Sequence, residues 1–104
     1  MTLSMEAIVV NGTGDIRLAR RPVPSPGPGE VRVRVRCAPV NPSDLMYVHD
    51  AYLHPLSVGA TPGFVGVGVV EASHPNGVLG RLLLGRRVAF AMSAGRSGTW
   101  AGWL

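Results

Sequence analysis

Residues 30–37, EVRVRVRC, alternate without a break, with Val31, Val33, Val35 and Cys37 on one parity and Arg32, Arg34 and Arg36 on the other. An extended strand puts residues two apart on the same face, so the run specifies a β-strand with an apolar inner side and a charged outer side. The three arginines predict a solvated face that discourages edge-to-edge pairing, with anion binding as the rarer use of such a row. Cys37 is expected to point inward as a small core residue. A strand with one apolar face needs a second layer to cover it, and the rest of the chain must supply that layer.

The punctuation of the chain says what kind of layer. Fourteen Gly and nine Pro among 104 residues break the apolar runs into short pieces, which favours short strands joined by tight turns. Residues 5–10 are apolar and rich in β-branched side chains; Asn11-Gly12-Thr13-Gly14 is turn chemistry, and Ile16-Arg17-Leu18 resumes alternation, predicting a hairpin. The segment 22–29, PVPSPGPG, carries four prolines and predicts an extended surface connector. Residues 64–72, FVGVGVVEA, are apolar on both parities and broken by Gly66 and Gly68, as in a strand buried on both sides or sharply bent. Pro75-Asn76-Gly77 reads as a turn, 80–84 as a short apolar connection, 87–92 as a strand, 93–98 as a polar loop, and Thr99-Trp100-Ala101 as the start of a last strand. The sum is six or seven short strands and no βαβ period, a mostly β, barrel-like single domain over residues 1–104.

One helix interrupts this pattern. Asn41 suits an N-cap, Pro42 the first helical position, and Asp44 lies three residues past the cap, where a carboxylate meets the positive end of the helix dipole. The helix is expected to reach about His49. Pro55, Gly59 and Pro62 then make residues 50–62 a loop.

Charge and cysteine content exclude several classes. The net charge is +4 and all ten basic residues are Arg, but they are spread along the chain with few aromatics to stack bases, so no nucleic-acid partner is expected. The single Cys37 allows neither an intrachain disulfide nor a cysteine-pair zinc site, which points to a reducing compartment. The N-terminus lacks a leader pattern and no apolar run approaches the roughly 20 residues of a membrane span, so a cytoplasmic protein without a membrane partner is expected. His49, Asp50 and His54 would suit Zn, Ni or Cu if the loop were helical, but Pro55 argues for plain surface histidines. No Gly-x-Ser-x-Gly elbow occurs, and the Gly-x-Gly at Gly12 lacks the third glycine and helix of a dinucleotide fingerprint.

The order of the pieces AIVVNGTGDIRL, PVPSPGPGEVRVRV, VNPSDL, AYLHPLS, TPGFVGVGVVEA, GRRVAF and GTWA resembles the N-terminal half of medium-chain dehydrogenase/reductases, and within them the zinc-free quinone oxidoreductase and enoyl reductase branch. The resemblance implies a GroES-like, partly open β-barrel with one short helix, carrying the catalytic surface beside a Rossmann domain that binds NADPH. It also implies roles for two residues: Asn41 beside the nicotinamide, and Tyr52 donating a hydrogen bond to the substrate carbonyl. Zinc-dependent relatives have a cysteine at the position of Asn41 and a His-Glu pair at Phe64 and Val65, so no catalytic metal is implied. By its local sequence Asn41 is first of all an N-cap, and Tyr52 can equally be an amphipathic loop anchor.

Departures from the family pattern cluster at Asp50, Val58-Gly59, Val65, Arg86 and residues 100–104. No strand-GxGxxG-helix unit fits in 104 residues, so the chain by itself is expected to bind no NADPH and to transfer no hydride. Val65, Trp100, Trp103 and Leu104 suggest an apolar surface toward the Rossmann domain and a homo-oligomer formed through it. The competing reading is a stand-alone or engineered β-barrel scaffold or interaction module that self-associates without catalysis.

Overall fold

A computed structural model describes residues 3–52, 55–92 and 98–104. The chain runs β1 (Ser4–Gly12), β2 (Asp15–Pro22), β3 (Val31–Cys37), α1 (Pro42–Val48), β4 (Val65–Ser73), α2 (Val78–Leu83) and β5 (Arg87–Ala91). β1 and β2 form the expected antiparallel hairpin, with Ile8 opposite Leu18, and β3, β4 and β5 form a second antiparallel sheet with β4 in the middle. Residues 23–30 contain no strand or helix, in keeping with three prolines that offer no ladder donor.

The two sheets do not close into one cylinder. They are tied by the segment 98–104, which runs along β1 and then β3. Ile8 N–H donates to the Trp100 carbonyl at 2.9 Å and Gly102 N–H to the Glu6 carbonyl at 3.2 Å, after which Leu104 exchanges both backbone bonds with Val33, at 2.7 and 2.9 Å. Only isolated bridges, Ala7 to Ala101 and Arg34 to Trp103, stand where a last strand was expected. Apolar residues of both sheets, Ala7 and Val10 of β1, Val33 of β3 and Val70 of β4, are buried together with Tyr47 and Val48 of α1. This is the mostly β, partly open arrangement expected from the sequence, with two short helices where one was expected.

Three local expectations need correction. Cys37 is exposed rather than inward, because the β3 register shifts between Val35 and Cys37 and carries the strand end off its parity. β4 is not buried on both sides: its inward positions are Gly66, Gly68 and Val70, whereas Val67 is exposed. The short apolar connection expected over residues 80–84 belongs instead to a second helix, α2, Val78–Leu83.

Candidate functional site

Asn41 has extended backbone angles, φ −97° and ψ 160°, and begins α1 as its N-cap, as the Asn-Pro-Ser-Asp order dictates. The capping box has both halves: Asp44 Oδ2 accepts the Asn41 N–H at 2.8 Å, and the Asn41 side chain faces the Asp44 N–H. An N-cap uses only its amide oxygen, so the Asn41 Nδ2–H₂ group remains a donor.

Asp44 does more than the dipole argument foresaw. It is fully buried, and its Oδ1 accepts the N–H of Phe64, which lies twenty residues further on. Phe64 follows a turn, Thr61-Pro62-Gly63, that is itself clamped: Gly98, Thr99 and Trp100 donate their N–H groups to the carbonyls of Thr61, Gly63 and Pro62 at 3.0, 3.1 and 3.1 Å. Gly63 has φ +105°, a conformation that L side chains rarely adopt, and a Cβ there would meet the Thr99 nitrogen at 2.9 Å. Only glycine fits.

Two tyrosines meet the Phe64 ring. Tyr47, buried on α1, contacts it edge-on with centroids 5.8 Å apart, and its hydroxyl oxygen accepts the Ser57 N–H at 3.4 Å. Tyr52, half-buried after the helix, lies tilted against the same ring at 5.2 Å. The chain reaches Tyr52 through Asp50, a non-glycine residue with φ +56°. That turn is braced by Ala51 N–H donating to Met46 at 2.7 Å and by the Asp50 Oδ1, which accepts the Leu56 N–H at 3.0 Å. Asn41 and Tyr52 are thus both tied to Asp44, the first directly and the second through Phe64.

The remaining sequence candidates are placed as follows. His49 is exposed at the end of α1 with its ring against Gly14, Asp50 serves its own turn, and His54 lies outside the described residues, as do positions 93–97 of the polar loop. Among the described residues no three His, Cys, Asp or Glu side chains converge on a point that could hold a metal ion. Trp100, Trp103 and Leu104, read as an open apolar patch, are half-buried and bonded into the fold. The Trp100 Nε1 donates to Pro39 at 3.3 Å, the Trp103 Nε1 donates to Glu71, and Arg34 sits over the Trp103 ring at 5.3 Å. Sequence reasoning missed Phe64 as a platform and Asp44 as a latch. The Asn-x-x-Asp spacing could reveal the cap, but nothing local marks a bond to residue 64.

Comparison with known proteins accords with this geometry. Residues 27–101 match the family model of the alcohol dehydrogenase GroES-like domain. No curated protein matches the sequence. Among solved structures, a Mesorhizobium loti protein assigned as an NADPH:quinone reductase is 32% identical over 99% of this chain and 35% of its own, with a TM-score of 0.83. The human synaptic vesicle membrane protein VAT-1 homolog-like protein is 28% identical over 98% of this chain and 32% of its own, with a TM-score of 0.79. The quinone oxidoreductase of Thermus thermophilus, solved also in complex with NADPH, is 31% identical over 89% of this chain and 34% of its own, with a TM-score of 0.61. The chain spans about a third of the length of these proteins.

Proposed function

Because the chain belongs to the alcohol dehydrogenase GroES-like domain family, we propose that its 104 residues form one domain, the catalytic surface of an NADPH-dependent reductase acting on the conjugated carbonyl of a quinone or an enone. The observation that carries this reading is the Asp44 latch. It fixes the strand start bearing Phe64 against the helix start bearing Asn41, and the Phe64 ring in turn supports Tyr52.

The residues present suit the nicotinamide end of NADPH. Asn41 offers the Nδ2–H₂ donors that a helix cap does not use, and in this reading they hydrogen-bond the nicotinamide carboxamide and orient the ring. The pyrophosphate is left to a cofactor domain outside these residues. When bound, the dihydronicotinamide supplies a hydride. As the substrate carbonyl takes up negative charge, the Tyr52 hydroxyl donates a hydrogen bond to its oxygen, and such a preorganised donor is worth roughly 10²–10³ in rate. A phenol does this while staying neutral near pH 7. Phe64 restricts the Tyr52 ring and excludes water from one side of it. No step runs through a metal, since Asn41, Phe64 and Val65 offer neither thiolate, imidazole nor carboxylate.

The test is NADPH consumption with a quinone or an enone, by the chain alone and by a chimera in which it replaces the corresponding residues of the Thermus thermophilus quinone oxidoreductase. The expected result is no turnover by the chain alone and turnover by the chimera that falls in Asn41→Ala and Tyr52→Phe. Turnover by the chain alone would overturn the division of labour. A chimera indifferent to both substitutions would overturn the site.

A further inference from the structure

α2 leaves most of its aliphatic surface uncovered. Its Gly80 is seated on the body of the domain, where an added Cβ would collide with the Ser73 hydroxyl and lie 2.9 Å from Val31 Cγ1. The helix has no buried residue, and Val78, Leu79 and Leu82 are 74%, 72% and 69% exposed. These three lie within one turn of each other, at the i, i+3 and i+4 spacings that share a helix face. A helix that meets its own protein through Gly80 and the half-buried Leu83 and offers Val78, Leu79 and Leu82 to solvent leaves most of its aliphatic surface uncovered.

The charged residues of α2 and of the turn that follows it are all arginines. Arg81 sits on α2 itself, and Arg86 and Arg87 follow as the chain turns back into β5, with Arg86 N–H bonded to the Leu83 carbonyl at 2.9 Å. All three arginines are exposed, and among the described residues none meets a carboxylate within ion-pair distance. Glu71, the acid of the preceding strand, is engaged by Arg32 and Trp103.

We propose that α2 and the arginine turn behind it form a peripheral docking surface for an anionic lipid bilayer. Aliphatic side chains on a projecting turn enter the interfacial region of a membrane, while guanidinium groups at its base hydrogen-bond lipid phosphates. A second copy of the chain fits this patch poorly, because a two-fold contact through the leucines would bring both sets of arginines together. An acidic protein would have to supply a groove for a protruding turn, whereas a bilayer needs none. The absence of a spanning segment, which led the sequence reading to expect no membrane partner, does not bear on a surface that lies on the membrane. This inference is independent of the reductase reading.

The experiment is co-sedimentation of the 104-residue chain with vesicles of phosphatidylcholine alone and of phosphatidylcholine mixed with phosphatidylglycerol, at low and high salt. Binding is expected to the mixed vesicles, weakened roughly tenfold or more by high salt and by the pair Arg86→Ala/Arg87→Ala, since each basic residue at an anionic surface contributes about fivefold. The pair Leu79→Ser/Leu82→Ser should weaken it comparably with an unchanged circular dichroism spectrum, because neither leucine supports the core. Equal binding to neutral vesicles, indifference to either pair, or no binding at all would overturn the proposal. Leucine-dependent self-association in the absence of lipid would also overturn it, and would assign the face to a second copy.

Discussion

The Asp44 carboxylate holds the Phe64 N–H at 3.1 Å across twenty residues of sequence, and its other oxygen holds the Asn41 N–H at 2.8 Å. A fully buried carboxylate is costly unless its lone pairs are met, and here two backbone donors from different segments meet them. The relationship makes Asp44 the joint between the helix start and the Thr61-Pro62-Gly63 turn. Helix capping alone would not require so deep a residue.

Removing that joint should therefore cost more than losing a cap. Asp44→Ala leaves two donors without an acceptor and is expected to destabilise the chain by about 3 kcal/mol or more, against about 1 kcal/mol for an ordinary cap. Asp44→Asn keeps one carbonyl acceptor but turns an amide N–H₂ toward the other donor, so its loss should be smaller, about 2 kcal/mol. Urea denaturation of the three proteins measures the order. Equal midpoints for wild type and Asp44→Ala would show that the latch contributes nothing.

Glycine at position 63 makes a second prediction with a built-in control. Gly63 and Gly29 both have positive φ, +105° and +73°, but a Cβ at Gly29 meets nothing within 4 Å, whereas at Gly63 it runs into Thr99 and Trp100. Gly29→Ala should cost only the backbone term, about 1–2 kcal/mol. Gly63→Ala adds a backbone clash that no side-chain rotation relieves, and is expected to leave the chain unfolded or at least about 3 kcal/mol less stable. Thermal melts monitored by Trp fluorescence distinguish the two.

The legibility of the chain divides along the range of the interactions involved. The β3 alternation, the β1–β2 hairpin turn at Gly12-Thr13-Gly14 and the Asn41-Pro42 helix start all follow from contacts within a few residues, and each stands where the sequence puts it. Cys37, α2 and the Asp44–Phe64 bond depend on register or on partners far along the chain. Parity counting carried Cys37 inward because a bulge leaves no mark on the alternation that precedes it. Residues 80–84 read as a connection because Gly80 and the lack of a cap hide a helix of only six residues, Val78–Leu83. Within the candidate site, Asn41 and Tyr52 were visible through family resemblance, while Phe64 registered only as a lost metal position.

The exposed Cys37 should react with a thiol reagent in the folded chain. One thiol per chain is expected to titrate with Ellman's reagent in the absence of denaturant, on the same time scale as in the unfolded protein within about an order of magnitude. Protection until denaturant is added would restore the inward position that simple alternation implies.

Acid affects one group in a defined direction. The hydrogen bond from the Asn11 amide to Asp15 Oδ2, at 3.0 Å, holds the Asp15 carboxyl below its ordinary value of 3.8, and Arg17 adds to the effect. A carboxylate with a lowered folded pKa contributes stability above its unfolded pKa and loses it as pH falls through the folded one. The contribution of Asp15 to the β1–β2 turn is thus present at neutral pH and disappears below about pH 4. Carboxyl chemical shifts followed by NMR should place the Asp15 midpoint below 3.8, and Asn11→Ala should move it upward. An unmoved midpoint would remove Asn11 as the cause.

The two tyrosines that share Phe64 offer the sharpest separation of architecture from chemistry. Tyr47 is buried and its hydroxyl receives the Ser57 N–H, so Tyr47→Phe should lower stability by about 1 kcal/mol, a shift of roughly 4–8 °C in melting temperature for a chain of this size. Tyr52→Phe keeps the ring against Phe64 at 5.2 Å. In the chimera with a cofactor domain the two variants separate by kcat. Tyr52→Phe removes the proposed donor to the carbonyl oxygen and should lower kcat about 10²-fold, while Tyr47→Phe leaves turnover nearly intact below its own melting range. Measuring melting temperature and kcat for both variants tests the assignment directly, because a purely structural Tyr52 would lose the two together.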